Sequence, residues 1–451
     1  MLQGVVIPAT PWHAGHGLIT GSDWVSFHAE AVRLAEDIER IGWRAWRLRP
    51  EGQAPIGMAA GVYAASSIHE PWVLLPLNGV LYGLAAAALS KMAFTLSGNR
   101  RSAFWAVLPM LVFPSTAMIW GQIHKDVWML PGCLLILSFW IDLGRTKVIN
   151  RSAVWLLARV LTGALLVWIV RPYANKVFLL ASMVATAVLF AARVRNKSLQ
   201  FAWLSMLLAG LVIQLVVAQL PNSIAEQPQS IIAQPPSPLP HQPQLIVTQP
   251  TSPIAEQPQT VPVQAEPAAV QPTVPPTCAT WKQSPPVPLI DGQLAALACV
   301  REGFRTGYPD AGSNIDTGIT FATVTDIVSY LPRALQISLF APFPNSWLSA
   351  AQSPGGGFMR LIAGAEMLVL YVALIGWLWL PWFSRHDRGV LLAVLGFSIT
   401  AALIYALVIC NAGTLYRMRY PVMFVWIGLG LIGWQRHYSM RNAKNGLSFR
   451  E

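Results

Sequence analysis

The chain has too little charge for a soluble protein of its length. Only 11% of its 451 residues are charged, against roughly 25% in soluble domains, whereas 54% are hydrophobic. The apolar residues gather in long runs that short polar segments separate. This composition excludes an ordinary soluble domain and predicts an integral membrane protein built from helices.

Cysteine is also scarce, and its arrangement argues against a metal framework. The four cysteines form no Cys-x-x-Cys pair, and Cys133 and Cys410 fall within apolar runs or at their end. Cys278 and Cys299 lie in the long polar region between the membrane segments, where an oxidising compartment would allow a disulfide. No convincing set of metal ligands occurs, so we expect no cofactor, with a divalent metal kept as an open alternative.

The net charge of +11 does not predict nucleic-acid binding. Lys and Arg lie in short clusters between apolar runs, and no zinc-finger or RNA-binding signature occurs. Membrane topology explains these clusters better, because basic residues in short loops mark the cytoplasmic side. We therefore expect the lipid bilayer, and not nucleic acid, as a partner.

Nine apolar runs are candidate spans of an all-α, polytopic transmembrane helix bundle. Six of them form a membrane block at residues 71–220, and three form a second block at 358–436. The runs lie at 72–96, 103–121, 127–143, 153–170, 177–192, 199–220, 359–383, 389–410 and 420–434.

The segments between and before the blocks are more polar. Residues 1–70 and 289–357 are predicted to be extracytoplasmic loop regions, each with an amphipathic helix, at 24–41 and at 324–340 respectively. Residues 221–288 hold 18 of the 35 prolines and much glutamine, which predicts a disordered linker without a core.

Charge alternates from one connection to the next. Basic residues concentrate at 97–102, 144–152 and 193–198 and in the tail at 437–451, which are therefore predicted to be cytoplasmic. The intervening connections and residues 1–70 then face outward. Since no span precedes this N-terminal segment, we expect that a first span has been lost, that the segment crosses without one, or that one span is misassigned.

This orientation collects several charged residues at the outer face, most densely at the turn from Trp120 to Trp128. Guanidinium groups pair bidentately with phosphate and lysine adds a point charge, so these cations suit the phosphate of a lipid-linked sugar. Alternatively, each cation reaches lipid phosphates at the end of its own span. The candidate phosphate-binding residues are Lys125, Arg171, Arg417 and Arg419, and the further candidates are His28, His124, Asp126 and Tyr173.

Asp23 directly precedes the first amphipathic helix. Its carboxylate is a candidate general base that deprotonates a sugar hydroxyl. Alternatively, Ser22 or Asp23 caps the helix by accepting hydrogen bonds from its first amides, and the two roles are compatible.

Two further charges, Arg159 and Glu366, lie inside apolar runs. Charged side chains are costly there unless they are paired or face a cavity. They indicate either a transport path or a structural pair between helices.

Several segments of the first half resemble a known family. Gly21-Ser22-Asp23, His28, the segment from Gly52 to Tyr63 and Pro76-Leu77-Asn78 resemble the first outer loop and following helix of bacterial membrane glycosyltransferases of the C-type fold, the protein mannosyltransferase and lipid A aminoarabinose transferase kind. The resemblance covers residues 1–130, and the family's first span has no counterpart here. It implies a polyprenyl-phosphate sugar donor and assigns the catalytic carboxylate to Asp23.

The second half resembles membrane proteins of surface-polysaccharide assembly, at Tyr330-Leu331-Pro332-Arg333, at the segment from Phe340 to Pro344 and at Asn411 to Arg419. It is also similar to O-antigen polymerases in its many spans, large outer loop and outward arginines. These resemblances imply a glycosyltransferase that uses a polyprenyl-phosphate-linked donor, with other polysaccharide-assembly proteins as partners. The alternatives are a polymerase or ligase of lipid-linked repeat units, and a non-catalytic membrane partner or transporter.

Overall fold

The computed structural model describes residues 2–20, 23–146, 152–220, 281, 288–307, 311–348, 356–382 and 385–444. Over these residues the regular structure is helical, and the only β pairings are isolated bridges between His13 and Ile19 and between Asn314 and Asn411. The predicted all-α class is therefore confirmed. Most of the predicted linker at 221–288 lies outside the described residues.

The described part of the chain forms sixteen α-helices. The first nine are α1 (Trp24–Ile41), α2 (Ala54–Ser66), α3 (Leu75–Ser97), α4 (Arg100–Val112), α5 (Pro114–Trp120), α6 (Asp126–Arg145), α7 (Ser152–Val170), α8 (Pro172–Arg195) and α9 (Phe201–Ala218). The other seven are α10 (Pro288–Gly307), α11 (Val324–Phe340), α12 (Pro344–Trp347), α13 (Gly356–Gly376), α14 (Arg385–Val408), α15 (Ala412–Met418) and α16 (Tyr420–Lys444).

Seven described segments are long and apolar enough to cross a membrane, or eight if α4 and α5 count as one span bent by 66°. The ninth predicted run, 420–434, forms the first part of α16 but lies outside this set. Only 15 residues of that run precede the polar Gln435 and Arg436, fewer than the ~20 of a typical span. The chain is a multi-pass membrane protein.

Both predicted amphipathic helices form over the predicted residues, as α1 and α11. Helix α11 begins with a capping box, in which the Thr323 side chain accepts from the Asp326 amide and Asp326 accepts from the Thr323 amide. The capping box satisfies amides that lack partners within the helix and so sets the start of α11.

Helix α6 lies at the centre of the bundle. It contacts α3, α5, α7, α8, α9, α14 and α16, and nearly all of its side chains are buried. Helix α7 approaches α6 closely because two glycines face each other, and a Cβ atom on Gly132 would lie 2.8 Å from the Gly163 carbonyl oxygen. Since α6 runs from Asp126 to Arg145, its charged ends lie on the order of 30 Å apart.

The N-terminal region, residues 2–20 and 23–70, forms a cap over the turn that connects α5 and α6. Helices α1 and α2 pack against each other, and Phe27 shares a buried apolar cluster with Ile123 of the turn. The Gln122 side chain of the turn donates a hydrogen bond of 3.3 Å to the Gly17 carbonyl oxygen. This packing holds the start of α1 beside the turn.

Candidate functional site

The turn between α5 and α6, residues 121–125, carries the densest group of predicted site residues. Helix α3 holds the turn in place, since Asn78 Nδ2 donates a hydrogen bond of 2.9 Å to the Trp120 carbonyl oxygen. Asn78 is buried and was not among the predicted site residues. A polar amide inside an apolar run is the sequence signal for such a supporting role, because a buried amide needs a hydrogen-bond partner.

His124, Asp126, Arg171 and Arg417 form one network, which together with Lys125 we call the His124 cluster. Arg171 Nη2 donates to Asp126 Oδ1 over 2.8 Å, and His124 Nδ1 lies 3.2 Å from Asp126 Oδ2. Arg417 Nη1 lies 3.2 Å from His124 Nε2. The structure thus brings together four predicted residues from three separate parts of the chain.

Hydrogen-bond donors approach both ring nitrogens of His124. A guanidinium group can only donate, so the contact with Arg417 requires an unprotonated Nε2. The Asp126 amide donates to Nδ1 over 3.2 Å, and this bond requires an unprotonated Nδ1. A neutral imidazole accepts at only one nitrogen, so the two contacts favour opposite tautomers.

Burial keeps the imidazole neutral. It lowers the pKa of His124 below its usual range, and Asp126 opposes this effect without overcoming it. At pH 7 the cluster therefore contains one uncharged imidazole and one buried carboxylate, together with the basic side chains of Lys125, Arg171 and Arg417. Arg171 neutralises Asp126 directly.

Lys125 and Arg417 carry the surplus positive charge. Among the described residues neither forms an ion pair with a carboxylate, and Lys125 Nζ instead lies 5.8 Å from the centre of the Phe27 ring. Burial and then the charge of Arg171 lower the pKa of Lys125, and Arg417 acts in the same direction. Both side chains are only partly buried. An anion that contacts both would therefore be stabilised.

Asp23 lies beside this surplus charge. Its carboxylate is exposed, and its negative charge acts on Lys125. The alternative role as a helix cap is not realised for Asp23, since its side chain makes no capping hydrogen bond to α1. Ser22, the other candidate cap, lies outside the described residues.

Of the two remaining candidates, His28 lies away from the His124 cluster and Tyr173 lies at its border. His28 is buried in α1, where Nδ1 lies 3.0 Å from the Tyr63 hydroxyl and the ring centre lies 4.8 Å from that of His16. Burial and then His16 lower the pKa of His28. Tyr173 is exposed, and its hydroxyl accepts a long hydrogen bond of 3.5 Å from Arg171. Tyr173 borders the cluster, whereas His28 belongs to the core of the N-terminal cap.

Arg419 is not brought to the His124 cluster. Its side chain is fully buried and donates to the Ser338 carbonyl oxygen over 2.6 Å and to that of Ile337 over 3.2 Å, and also to the carbonyl oxygen of Ala341. It therefore ties the last turn of α11, where carbonyl groups lack helical partners, to the start of α16. This geometry indicates a structural role for Arg419.

The two charges predicted inside apolar runs each have partners on other helices. Glu366 of α13 accepts hydrogen bonds from the Ser115 amide over 3.0 Å, from the Ser115 hydroxyl over 2.6 Å and from the Tyr416 hydroxyl. Arg159 of α7 pairs with Asp142 of α6. These contacts favour the structural interpretation of both charges over a transport path.

The described cysteines are of two kinds. Cys299 is disulfide-bonded, and its predicted partner Cys278 lies outside the described residues. Cys133 and Cys410 are free and buried. Within the described ranges, no group of three or more His, Cys, Asp and Glu side chains is arranged to hold a metal ion.

A cavity of about 10 Å³ borders Asp126 and Arg417, and this volume suits about one water molecule. Most of the lining is apolar and comes from α5, α6 and α16: Thr116, Ile119, Trp120, Met129, Leu130, Tyr420, Pro421 and Phe424. A ligand phosphate would therefore meet the cluster at the exposed edges of Lys125 and Arg417.

The site therefore contains two partly exposed basic side chains, Lys125 and Arg417, and an imidazole 3.2 Å from a buried aspartate. The exposed carboxylate of Asp23 lies near Lys125. Cations that lack a carboxylate partner attract a phosphate group, and a carboxylate in water can accept a proton. Comparison with protein-family models, with curated proteins and with solved structures finds no match for this chain.

Proposed function

We propose that this protein is a glycosyltransferase of the bacterial inner membrane that transfers a sugar from a polyprenyl-phosphate-linked donor during cell-surface polysaccharide assembly. One observation carries the proposal: Lys125 and Arg417 form no ion pair with a carboxylate within the described residues, and the exposed carboxylate of Asp23 lies close enough to Lys125 to act on its charge. The active face is periplasmic and the C-terminus is cytoplasmic, in accord with the distribution of basic residues among the short loops.

Lys125 and Arg417 bind the donor phosphate. Negative charge on the phosphate grows as its bond to the sugar breaks, so these two cations stabilise the transition state more than the bound donor. The planar guanidinium of Arg417 and the compact ammonium of Lys125 both donate hydrogen bonds to the non-bridging oxygens of the phosphate.

Asp23 acts as the general base. It takes the proton of an acceptor hydroxyl while the hydroxyl oxygen forms a bond to the anomeric carbon of the donor sugar. The bond between that carbon and the phosphate oxygen breaks, and its electron pair leaves with the polyprenyl phosphate. No atom changes its oxidation state in this step, so no oxidant or reductant is needed.

His124, Asp126 and Arg171 are positioning residues. In the tautomer with the ring proton on Nδ1, which lies 3.2 Å from Asp126 Oδ2, His124 Nε2 accepts from Arg417 and fixes the direction of its guanidinium group. Arg171 neutralises Asp126 and so allows this carboxylate to remain charged while buried. The network orients Arg417 without contacting the substrate.

Complementation of a gene-deletion strain tests the proposal, with surface polysaccharide as one readout. The second readout is the affinity of the purified full-length variants for polyprenyl phosphate, measured by native mass spectrometry. We expect Asp23→Asn to lower transfer by about 10²- to 10⁴-fold and to leave binding unchanged. Lys125→Gln and Arg417→Gln should each weaken binding roughly tenfold.

Two exposed cations outside the cluster provide matched controls. Lys176→Gln and Arg44→Gln make the same charge changes and should behave like the wild type. Normal polysaccharide from Asp23→Asn, together with its loss from Arg417→Gln, would instead indicate a polymerase or ligase that needs no base at this position. If neither Lys125→Gln nor Arg417→Gln differs from its control, the phosphate-binding role is wrong for either enzyme.

A further inference from the structure

A second charged cluster lies at the C-terminal end of α6, far from the His124 cluster. Lys91 Nζ of α3 and Arg159 Nη1 of α7 lie 2.6 Å and 2.5 Å from the same atom, Asp142 Oδ2. One carboxylate oxygen therefore binds two cations from two neighbouring helices. A single negative charge cannot neutralise both of them.

An open cavity of about 280 Å³ adjoins this cluster, and we call it the Asp142 cavity. The lining residues are Lys91, Asp142, Arg145, Thr146, Trp155, Leu156 and Arg159. Since Lys91 and Arg159 share the one carboxylate of Asp142, these three side chains carry a net positive charge in a cavity that water can enter.

The shape and chemistry of the cavity suit a compact anion attached to an apolar group. Ammonium and guanidinium donors share the lining with the Trp155 ring, which is 73% exposed. Exposed tryptophan is typical of the membrane interface, where headgroups lie. The connections at this end of α6 are the basic ones that predict the cytoplasmic side.

We propose that the Asp142 cavity binds a phosphate group, carried either by an anionic phospholipid or by a free phosphate compound. The phosphate shares Lys91 and Arg159 with Asp142 and offsets the remaining positive charge. This site is separate from the donor site, because the two lie at opposite ends of α6. It does not depend on the proposed transferase activity.

Substitutions at Lys91 and at Asp142, the two partners of one ion pair, test this site. The full-length protein is purified into phosphatidylcholine nanodiscs, with phosphatidylglycerol added in one arm and inorganic phosphate in the other. Retention of phosphatidylglycerol is measured by native mass spectrometry and phosphate binding by calorimetry. We expect Lys91→Gln to weaken anion binding roughly tenfold.

Asp142→Asn should have the opposite effect and strengthen anion binding severalfold, because it removes the carboxylate that competes for the same cations. If the ion pair were purely structural, both variants would break it, and anion binding would change in the same direction in both. Arg195→Gln, an exposed arginine in the last turn of α8, is the matched control for charge alone. Arg159→Gln replaces Lys91→Gln if that variant does not fold.

The two arms identify the source of the phosphate. A response to Lys91→Gln with phosphatidylglycerol only assigns the cavity to a lipid headgroup, and a response with inorganic phosphate as well assigns it to a free phosphate compound. The proposal is overturned if Lys91→Gln binds both probes as Arg195→Gln does. It is equally overturned if Asp142→Asn weakens binding.

Discussion

At each end of α6, two basic side chains contact an aspartate. The two ends differ in how much water reaches these side chains. At the first end the side chains of Asp126, His124 and Arg171 are 5%, 4% and 10% exposed. At the other end Asp142 is 17% exposed and Lys91 is 47% exposed. The first network holds a fixed geometry, whereas the second keeps positive charge available to a ligand.

The difference in burial also sets the energetic role of each aspartate. A buried charge that loses its partner cannot be compensated by water, so it destabilises the fold strongly. A partly exposed pair is screened by solvent and contributes little. The same residue type at two ends of one helix is therefore expected to be essential for folding at one end and adjustable at the other.

Replacement of each aspartate gives the largest expected contrast. Asp126→Asn should lower the free energy of unfolding by about 3–5 kcal/mol, because it leaves the buried Arg171 guanidinium without a charged partner. Asp142→Asn should cost less than Asp126→Asn, because Lys91 and Arg159 are more exposed to water than Arg171. Thermal unfolding of both variants in the same detergent measures the difference, and equal losses would show that burial does not distinguish the two ends.

Part of the pH dependence of stability should come from the Asp126 end, which contains His124. Since the pKa of His124 is lowered in the folded protein, the unfolded chain takes up a proton more readily as the pH falls below ~6.5. Stability should therefore decrease with falling pH, by at most about 1.4 kcal/mol per pH unit from this group.

Unfolding of His124→Gln between pH 7 and pH 5 isolates this contribution, because His28 is unchanged in the variant and shifts in the same direction in both proteins. The wild type should lose more stability than the variant over this range. Parallel curves for the two proteins would contradict a neutral, buried His124.

The smallest expected effect is the salt dependence of the Asp142 end. Lys91→Gln should cost at most about 1 kcal/mol at ~0.1 M salt, and this cost should vanish near 1 M, where the Debye length falls to about 3 Å. Arg171→Gln should keep its cost at both salt concentrations, since its partner is buried. If the cost of Lys91→Gln did not depend on salt, the Asp142 end of α6 would be as inaccessible to water and ions as the Asp126 end.

Much of the helical architecture was predictable because it depends on local composition. Apolar runs of sufficient length marked the spans, and the three- and four-residue spacing of apolar side chains marked α1 at Trp24–Ile41 with the bounds that the structure has. The count of spans was less predictable at 420–434, where the helix continues into polar sequence. Local patterns fix a helix but not its relation to the membrane.

The candidate site was predictable only in part. Charge alternation placed His124, Asp126, Arg171 and Arg417 on one face of the membrane, and the structure brings them into contact. The supporting contacts were not visible, because Asn78 and Glu366 find their partners on helices distant in sequence. No local pattern specifies which distant backbone group a buried side chain will meet.

By itself the sequence determined that the chain is a helical membrane protein and that the polar turn before α6 collects charge between apolar runs. Only the tertiary structure separated Arg417 from Arg419, which the sequence placed side by side as phosphate ligands. Arg417 lies in the helix α15 and Arg419 directly follows it, and residues two apart on a helix point to nearly opposite sides. Arg417 therefore reaches His124, whereas Arg419 turns into the bundle and binds the end of α11.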